Sequence, residues 1–311
     1  MSRDFHPYDP RNTRDVARNA PGHRRGGAGR HSPSGRGSGE SPLLDRQEQE
    51  PREHTVLKPD REDAPRAYYL RDREYLLRES EIRTLSEVGR FRVVAPHDLA
   101  KYGYAGDSAQ MERDIRRLRE QSLLSEQTLE ISGRKTLRVV TLTKQGAKLL
   151  RSTNRIADEQ EIYHGLRKPK EAKHDADLYR LYQKETARIE HAGGRPFRVI
   201  LDYELKRDLN RDLEALGPQK DDPEIKQAVA EQHHLPVVNA KVQLPDLRIE
   251  YENAHGELER IDAELATRHY RPQGLATKAR AGFSLYSHPE DGSRLRRILN
   301  DQGITTEILS L

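Results

Sequence analysis

The chain has 311 residues, of which 33% are hydrophobic and 34% are charged. Globular chains are typically about 45–50% apolar and about 25% charged, so this composition predicts that part of the chain lies outside any core. The absence of cysteine excludes disulfides, thiol nucleophiles and cysteine zinc sites. The net charge of +4 suits almost any soluble protein. No stretch reaches the roughly 18–20 apolar residues of a spanning helix, and the first residues lack an apolar signal segment, so we expect a cytoplasmic protein with no membrane partner.

The first segment, 1–66, is rich in Pro, Gly, Ser, Arg and His, as in the run PGHRRGGAGRHSPSGRGSGESP. Such a segment buries too little apolar surface to offset the entropy lost on ordering. We therefore predict a disordered basic arm over 1–66. Its arginines either contact nucleic acid or are solvated without a partner, and the sequence leaves both interpretations open.

Residues 67–152 show helical patterns followed by a hairpin. Apolar residues about 3.6 positions apart over 67–89 predict one or two helices, ended by Gly89. The strand-like FRVV and a short helix HDLAKYGY follow, and then a longer helix AQMERDIRRLREQ, capped by Asp107 or Ser108. LSEQTLEIS and KTLRVVTLT predict a β-hairpin, and KQGAKLLRS predicts a last helix. This element order is that of a winged helix-turn-helix domain over 67–152.

The longer helix has an apolar stripe and a basic outer face. In a winged helix the third helix enters the major groove and the hairpin wing touches phosphate. Double-stranded DNA is therefore the favoured partner, although most surface charges are simply solvated and winged helices also serve as protein-docking modules. The residues expected to contact DNA are Gln110, Arg113, Arg116 and Arg117 on the helix, and Arg134 and Lys135 at the wing tip.

A linker over 153–172 and a second domain over 173–311 are predicted next. The second domain begins with an amphipathic helix that is stopped at Gly193-Gly194, followed by the strand PFRVILDYE and two helices. Two strands then flank the turn at 253–256, and a helix, a strand, a helix and a terminal strand complete the chain. The predicted fold class is α+β, with a mixed sheet in the second domain.

The predicted hairpin around 253–256 brings acidic residues together. Its register places Asp246 opposite Ala263 or Glu264, and the alternation of a strand puts Asp262 and Glu264 on one face. Three carboxylates in an otherwise apolar sheet repel each other and are costly to desolvate, and Mg²⁺ or Mn²⁺ is the usual remedy. The sequence therefore predicts a metal site formed by Asp246, Asp262 and Glu264.

A different interpretation of the same hairpin needs no metal. Arg248 and Arg260 lie on these strands and would counter an ordinary carboxylate face. If no metal binds and the acids repel, Asp262→Asn is expected to raise stability.

The segment from LPD, ending at Asp246, to the strand IDAELAT resembles the PD-(D/E)XK nuclease signature. The resemblance implies a restriction-endonuclease-like fold with Asp246 and Asp262 as metal ligands. It also implies that Glu264 stands where the family has its water-activating lysine, and that Lys278 on the next helix replaces that lysine. In a second alignment Glu264 is the second acid, and Ala266 then occupies the place of the lysine. The catalytic set is thus Asp246, Asp262, Glu264 and Lys278, in an active or a degenerate site.

The whole arrangement is similar to the replication-relaxation family of mobile-element proteins. The similarity covers roughly 75–290 and includes the winged helix, a helix beginning with His174, the motifs LPD and IDAELAT, and Tyr270. It implies DNA binding in plasmid replication or mobilisation, with replication or mobilisation proteins as further partners and a homodimer left open. Two other interpretations stay open: a metal-dependent DNA endonuclease, and a winged-helix transcriptional regulator or docking adaptor.

Overall fold

The computed structural model describes residues 64–132 and 135–311. The predicted arm, apart from 64–66, and the wing-tip residue Arg134 lie outside the described residues. The described chain opens with a hairpin of β1 (Arg66–Leu70) and β2 (Arg73–Leu77). The helix predicted over this stretch is therefore wrong. Tyr75 and Leu77 are buried while Leu76 between them is exposed, which is the alternation of a strand with one face on the core.

Three helices, a hairpin and a fourth helix follow the first hairpin. They are α1 (Glu79–Gly89), α2 (Pro96–Gly103), α3 (Ser108–Glu120), β3 (Leu124–Ser132), β4 (Lys135–Leu142) and α4 (Lys144–Ser152). The predicted strand FRVV is reduced to a single bridge from Val94 to Val140 on β4. The third helix and the wing hairpin are confirmed, and the arrangement is that of a winged helix.

The turn between α2 and α3 fixes the orientation of α3. Ala105 and Gly106 both have positive φ, 52° and 89°, which reverses the chain sharply. The Asp107 carboxylate then accepts a hydrogen bond of 2.9 Å from the Gln110 backbone N–H and caps α3. The apolar stripe of α3, Met111, Ile115 and Leu118, is buried, so the opposite face of the helix is directed outward.

The remaining chain alternates helices and strands around one sheet. After a 3₁₀ turn at Pro169–Glu171, its elements are α5 (Ala172–His191), β5 (Arg195–Leu201), α6 (Asp202–Ala215), α7 (Pro223–Gln232), β6 (Val237–Val238), β7 (Lys241–Val242), β8 (Leu247–Glu252), β9 (Leu258–Leu265), α8 (Pro272–Arg280), β10 (Ser284–Ser287), α9 (Pro289–Asp301) and β11 (Ile308–Ser310). Each predicted helix and strand of this part is present.

The main sheet has five strands in the order β11-β10-β9-β8-β5. The pairs β5·β8 and β8·β9 are antiparallel, whereas β9·β10 and β10·β11 are parallel. The sheet is thus mixed, and the predicted α+β fold class is confirmed. The turn at 253–256 sets a register in which Arg248 lies opposite Asp262 and Leu247 lies opposite Ala263. This is one of the two registers expected from the sequence.

One hydrophobic core runs through the winged-helix elements and onto α5 and the sheet. Phe91, after α1, packs edge-on against Tyr179 of α5 with ring centroids 5.2 Å apart. Arg180 makes a two-pronged ion pair of 2.9 and 3.0 Å with the buried carboxylate of Asp98 on α2. The described residues accordingly group as one compact unit. In the part of the chain that the structure describes, no helix is both long and apolar enough to cross a bilayer.

The segment predicted as a linker is packed against both of its neighbours. The buried Gln160 side chain accepts a hydrogen bond from the Val199 backbone N–H and donates one to the Val199 carbonyl, at 3.0 and 2.9 Å. Ile162 belongs to the common core, and the Tyr163 backbone N–H bonds the Gly89 carbonyl at 2.8 Å. This segment therefore ties β5 to the end of α1.

Candidate functional site

The outward face of α3 carries the predicted DNA-contacting arginines. Arg113 and Arg116 are exposed, one turn apart on the same side of the helix. The Gln110 carbonyl oxygen accepts two hydrogen bonds from the Arg113 guanidinium, at 3.2 and 2.6 Å, and the Gln110 amide donates to Asp114 at 2.8 Å. The structure thus brings three of the predicted residues, Gln110, Arg113 and Arg116, onto one surface.

The other predicted residues occupy different positions. Arg117 is half-buried and its guanidinium lies 4.0 Å from the carboxylate of Glu81 on α1, so it faces the protein more than solvent. Lys135 is exposed at the start of β4, and its partner at the wing tip, Arg134, lies outside the described residues.

Ion pairs attach the wing to α3. The Arg138 guanidinium on β4 bridges Glu112 of α3 and Glu126 of β3, and Arg119 pairs with Glu126 at 2.5 Å. The hydrogen bonds from Arg138 lower the pKa of Glu112 and keep it ionised. The acid that lies next to Arg113 and Arg116 is therefore already neutralised by the wing.

A second group of charged and polar side chains lies at the end of the sheet where the inner strand β8 begins and its neighbour β9 ends. We call Asp246, Glu264, Lys278, Tyr270 and His174 the acid–base cluster. Hydrogen bonds to the backbone hold the two carboxylates: Glu264 accepts one from the Asp246 N–H at 3.2 Å, and Asp246 accepts one from the N–H of Leu265, the residue after Glu264, at 2.8 Å. The two carboxylates predicted from neighbouring strands are thus brought together.

Each of these carboxylates has a cation beside it. The Lys278 ammonium of α8 lies 3.0 and 3.1 Å from the two oxygens of Glu264 and donates to the Leu244 carbonyl at 2.5 Å. The His174 imidazole at the start of α5 lies 3.4 Å from Asp246. The Tyr270 hydroxyl donates a further hydrogen bond to Glu264. The lysine expected from α8 therefore reaches the acidic pair.

Burial and charge shift the proton affinities of this cluster. Burial, helped by the negative charge of Asp246, raises the pKa of Glu264 to about 7, although the Lys278 ammonium opposes the shift. Burial disfavours the charged form of His174, but hydrogen bonds to Asp175 and Asp246 outweigh it and raise the pKa of His174 to about 10. Near neutral pH we therefore expect a protonated His174 beside Asp246, and a Glu264 side chain that gains or loses a proton.

Asp262, the third predicted carboxylate, does not join the cluster. It forms a two-pronged ion pair of 2.6 and 2.9 Å with Arg248, its cross-strand neighbour. Arg248 is only 3% exposed, and its remaining N–H groups donate to the carbonyls of His233 and His234 at 2.9 Å each. The countercharge that the metal-free interpretation assigned to Arg248 and Arg260 is supplied by Arg248.

The two predicted acids of β9 have different partners. With Asp262 engaged by Arg248, Glu264 is the acid that faces Asp246, and Lys278 is the cation that contacts it. Within residues 64–132 and 135–311, no group of three or more His, Asp or Glu side chains is arranged to hold a metal ion. The cluster offers two carboxylates, both already neutralised, and so does not fit Mg²⁺ or Mn²⁺ as it stands. Metal binding by Asp246, Asp262 and Glu264 stays a prediction.

Sequence patterns alone gave no role to the histidine and the tyrosine of the cluster. His174 and Tyr270 entered only through the family resemblance, because they lie 72 residues before and 24 residues after Asp246 in the chain. Their partners, Asp246 and Glu264, become apparent only in the structure, where α5 and the segment after β9 pack at the same end of the sheet. Glu185, another acid of α5, is buried and accepts hydrogen bonds from Tyr286 and Arg188.

Comparisons with known proteins give little beyond this geometry. No protein-family model and no curated protein matches the chain. Among solved structures, the chain is similar to a mutant of MepR from a multidrug-resistant S. aureus clinical isolate, with 18% identity, a TM-score of 0.23, and coverage of 35% of this chain and 80% of that one. It is also similar to Bacillus subtilis PadR in complex with operator DNA, with 15% identity, a TM-score of 0.22, and coverage of 50% and 92%. At these scores the similarities carry no argument about function.

Proposed function

We propose that this protein binds duplex DNA through the outer face of α3, with the wing β3–β4 beside the phosphate backbone. The observation that carries the proposal is the division of α3 into two faces. Met111, Ile115 and Leu118 are buried in the core, whereas Arg113 and Arg116 project to solvent. A helix held by its apolar stripe behind a sharp turn is the element that winged helices insert into the major groove.

The local chemistry of this face suits a polyanion with readable base edges. Gln110 orients the Arg113 guanidinium, whose paired N–H groups match the two acceptors of guanine in the major groove. Among the described residues, none forms an ion pair with Arg116 within 4 Å, so its charge is available to phosphate. The wing arginine Arg138 neutralises Glu112, the acid that would otherwise repel DNA there.

The test measures the affinity of the full chain for a fluorescent DNA duplex, by fluorescence anisotropy at a series of salt concentrations. Arg113→Ala with Arg116→Ala should weaken binding by roughly 1–3 kcal/mol for a base contact, and should lower the salt slope by about 0.9 for each phosphate that is no longer neutralised. Arg294→Ala with Arg297→Ala removes the same charge from exposed positions of α9 and should leave binding nearly unchanged. Equal losses of affinity in the two variants would indicate binding by net charge, and unchanged affinity in the α3 variant would assign the winged helix to protein docking.

Phosphodiester cleavage by the acid–base cluster is a second candidate function. It is favoured by the contact of Asp246 with Glu264 and by the supply of Lys278 from α8, the residue that the PD-(D/E)XK resemblance offers in place of the family's lysine. Any Mg²⁺ or Mn²⁺ would have to bind against the positive charges of Lys278 and His174. A degenerate site that keeps these residues for stability accounts for the same contacts.

Nicking of supercoiled plasmid in Mg²⁺ or Mn²⁺ separates these two states of the cluster. An active site predicts cleavage that is lost in Asp246→Asn and in Lys278→Met but kept in Arg294→Ala. Cleavage that persists in Asp246→Asn would come from a contaminant. A thermal midpoint that rises with Mn²⁺ for the wild type, but not for Asp246→Asn, would show metal binding independently of cleavage.

We further propose a role in plasmid replication or mobilisation, because the winged helix, the LPD motif and the IDAELAT strand occur in the order found in the replication-relaxation family. Loss of maintenance or transfer of a plasmid after deletion of the gene would support this role, and complementation by the Arg113→Ala, Arg116→Ala variant would contradict a need for DNA binding in it. A homodimer and protein partners from the same machinery stay predictions, and sedimentation analysis of the full chain tests the former.

A further inference from the structure

A polar cavity of about 580 Å³ opens between the small hairpin β6–β7 and helix α8. Asn239 and Ala240, at the tip of this hairpin, have positive φ of 52° and 58°, the conformation of a tight two-residue turn. This hairpin forms one wall of the cavity. A hydrogen bond of 2.8 Å from the Gln243 N–H to the Pro236 carbonyl joins the two ends of the hairpin. The volume lies in the range of about 300–1,000 Å³ that is usual for small-molecule sites.

The lining of this cavity is cationic and polar. Lys241 and Arg280 supply two positive charges from opposite walls, and Asn239, Gln243, Gln273 and Thr277 supply amide and hydroxyl groups. The Gln243 amide also donates to the Lys241 carbonyl at 2.9 Å and the Thr277 hydroxyl to the Gln273 carbonyl at 2.8 Å, which leaves their oxygen atoms to accept hydrogen bonds from a ligand. None of the lining residues is acidic, in a chain with 51 Asp and Glu. Among the residues that the structure describes, no carboxylate lies within ion-pair distance of Lys241 or Arg280. Cations with no carboxylate beside them, next to hydrogen-bonding groups, suit an anionic, polar ligand rather than an apolar one.

The cavity adjoins the acid–base cluster through the backbone of both walls. Thr277 of the cavity precedes Lys278 of the cluster on α8, and Gln243 precedes Leu244, whose carbonyl accepts the Lys278 hydrogen bond. The hydrogen bond from Lys278 to Leu244 therefore joins the two walls between the cavity and Glu264.

We propose that this cavity binds one phosphate-bearing nucleotide of an unpaired DNA strand, with Lys241 and Arg280 at the phosphate and the amides of Gln243 and Gln273 at the base. The inference rests on the proposed DNA binding and extends it from the duplex at α3 to a single strand at α8. Guanidinium and ammonium groups are the usual phosphate ligands, and side-chain amides pair with base edges through both donors and acceptors. A free nucleotide has the same chemistry, and the experiment below separates the two sources.

Two variants block the cavity in different ways. Lys241→Ala with Arg280→Ala removes the charges from two exposed positions. Gly274→Leu fills the space and leaves the charges in place: Gly274 lies within α8, and a Cβ there would meet nothing closer than the Tyr270 ring at 3.9 Å. Arg294→Ala with Arg297→Ala again serves as the charge-matched control.

The probe is a fluorescent oligothymidine of about 12 nucleotides, within the range bound by single-strand sites. We expect both cavity variants to weaken its binding to the full chain at least tenfold, and the charge variant to flatten the salt slope by about 0.7, the value for the one phosphate that the two cations neutralise. Duplex binding at α3 should be kept in both. Loss of duplex binding in the Arg113→Ala, Arg116→Ala variant reports on the proposed function separately.

Thymidine monophosphate is the second probe. If the site takes a free nucleotide, this compound raises the thermal midpoint of the wild type but not of Gly274→Leu, and oligothymidine binding is unaffected by the cavity variants. Either pattern supports a nucleotide site and names its source. Unchanged oligothymidine binding in the Lys241→Ala, Arg280→Ala variant, together with no midpoint shift by thymidine monophosphate, overturns the proposal. Because that variant alters only exposed side chains, the outcome does not depend on the folding of Gly274→Leu.

Discussion

The sequence and the structure predict opposite effects of the replacement Asp262→Asn on stability. Repulsion among three acids predicted a gain in stability on this change. In the structure Asp262 neutralises Arg248, which is 3% exposed in the middle of the sheet, through bonds of 2.6 and 2.9 Å. The expected sign therefore reverses, because the variant leaves a buried guanidinium without its countercharge.

The magnitude follows from the remaining partners of Arg248. Breaking a buried ion pair by removing one partner costs about 3–5 kcal/mol. Asparagine retains one acceptor oxygen, and Arg248 keeps its hydrogen bonds to the carbonyls of His233 and His234, so we expect a loss of about 2–3 kcal/mol in the free energy of unfolding. For a folded unit of this size that corresponds to a fall of roughly 5–10 °C in the thermal midpoint.

Urea unfolding followed by circular dichroism at neutral pH gives the free energy directly. Glu250→Gln is the matched control, because Glu250 on the neighbouring strand β8 pairs with the half-exposed Arg198 at 3.4 Å, and its replacement should cost less than about 1 kcal/mol. Arg248→Met with Asp262→Leu removes both charges and should recover most of the loss. A single variant Asp262→Asn that is as stable as the wild type, or more stable, would refute the assignment of Arg248 as its essential partner.

Three further predictions concern the acid–base cluster and the packing of the winged helix. Burial raises the folded pKa of Glu264 to about 7, so the contribution of Glu264 to the free energy of unfolding is present at low pH and is lost as pH rises from about 4.5 through 7. The difference in this free energy between wild type and Glu264→Gln, measured by urea unfolding, should therefore change over that pH window and be flat above it. The pKa of His174 is raised to about 10, so the contribution of His174 to the free energy of unfolding is full below about pH 6.5 and is lost as pH rises through 10. The variant His174→Gln should not show this loss. Parallel curves of unfolding free energy against pH for wild type and variant would contradict this prediction. A Cβ on Gly146 would lie 2.1 Å from the Leu123 carbonyl oxygen, so Gly146→Ala should cost more than about 3 kcal/mol in thermal or urea unfolding, whereas Gly274→Ala, with room for the methyl group, should be neutral or stabilising by up to about 1 kcal/mol.

Local patterns in the sequence determined most elements and one register. The stripe of α3 and the turn at 253–256 depend on residues close together in the chain, so periodicity and turn chemistry were sufficient to place them. The same rules failed at β1 and β2. Leu70, Tyr75 and Leu76 have helical spacing, but the first hairpin packs on α4, which buries Tyr75 and Leu77 and exposes Leu76.

The composition of the acid–base cluster was decided by tertiary structure. The hairpin register alone placed Asp246 near Glu264 and Arg248 opposite Asp262, but it did not show which acid each cation would neutralise. That choice depends on α8, which directs Lys278 toward Glu264, and on α5, which brings His174 to Asp246 from 72 residues away. Charges separated by such distances in the chain attract strongly only after folding removes the water between them, and no local pattern records that event.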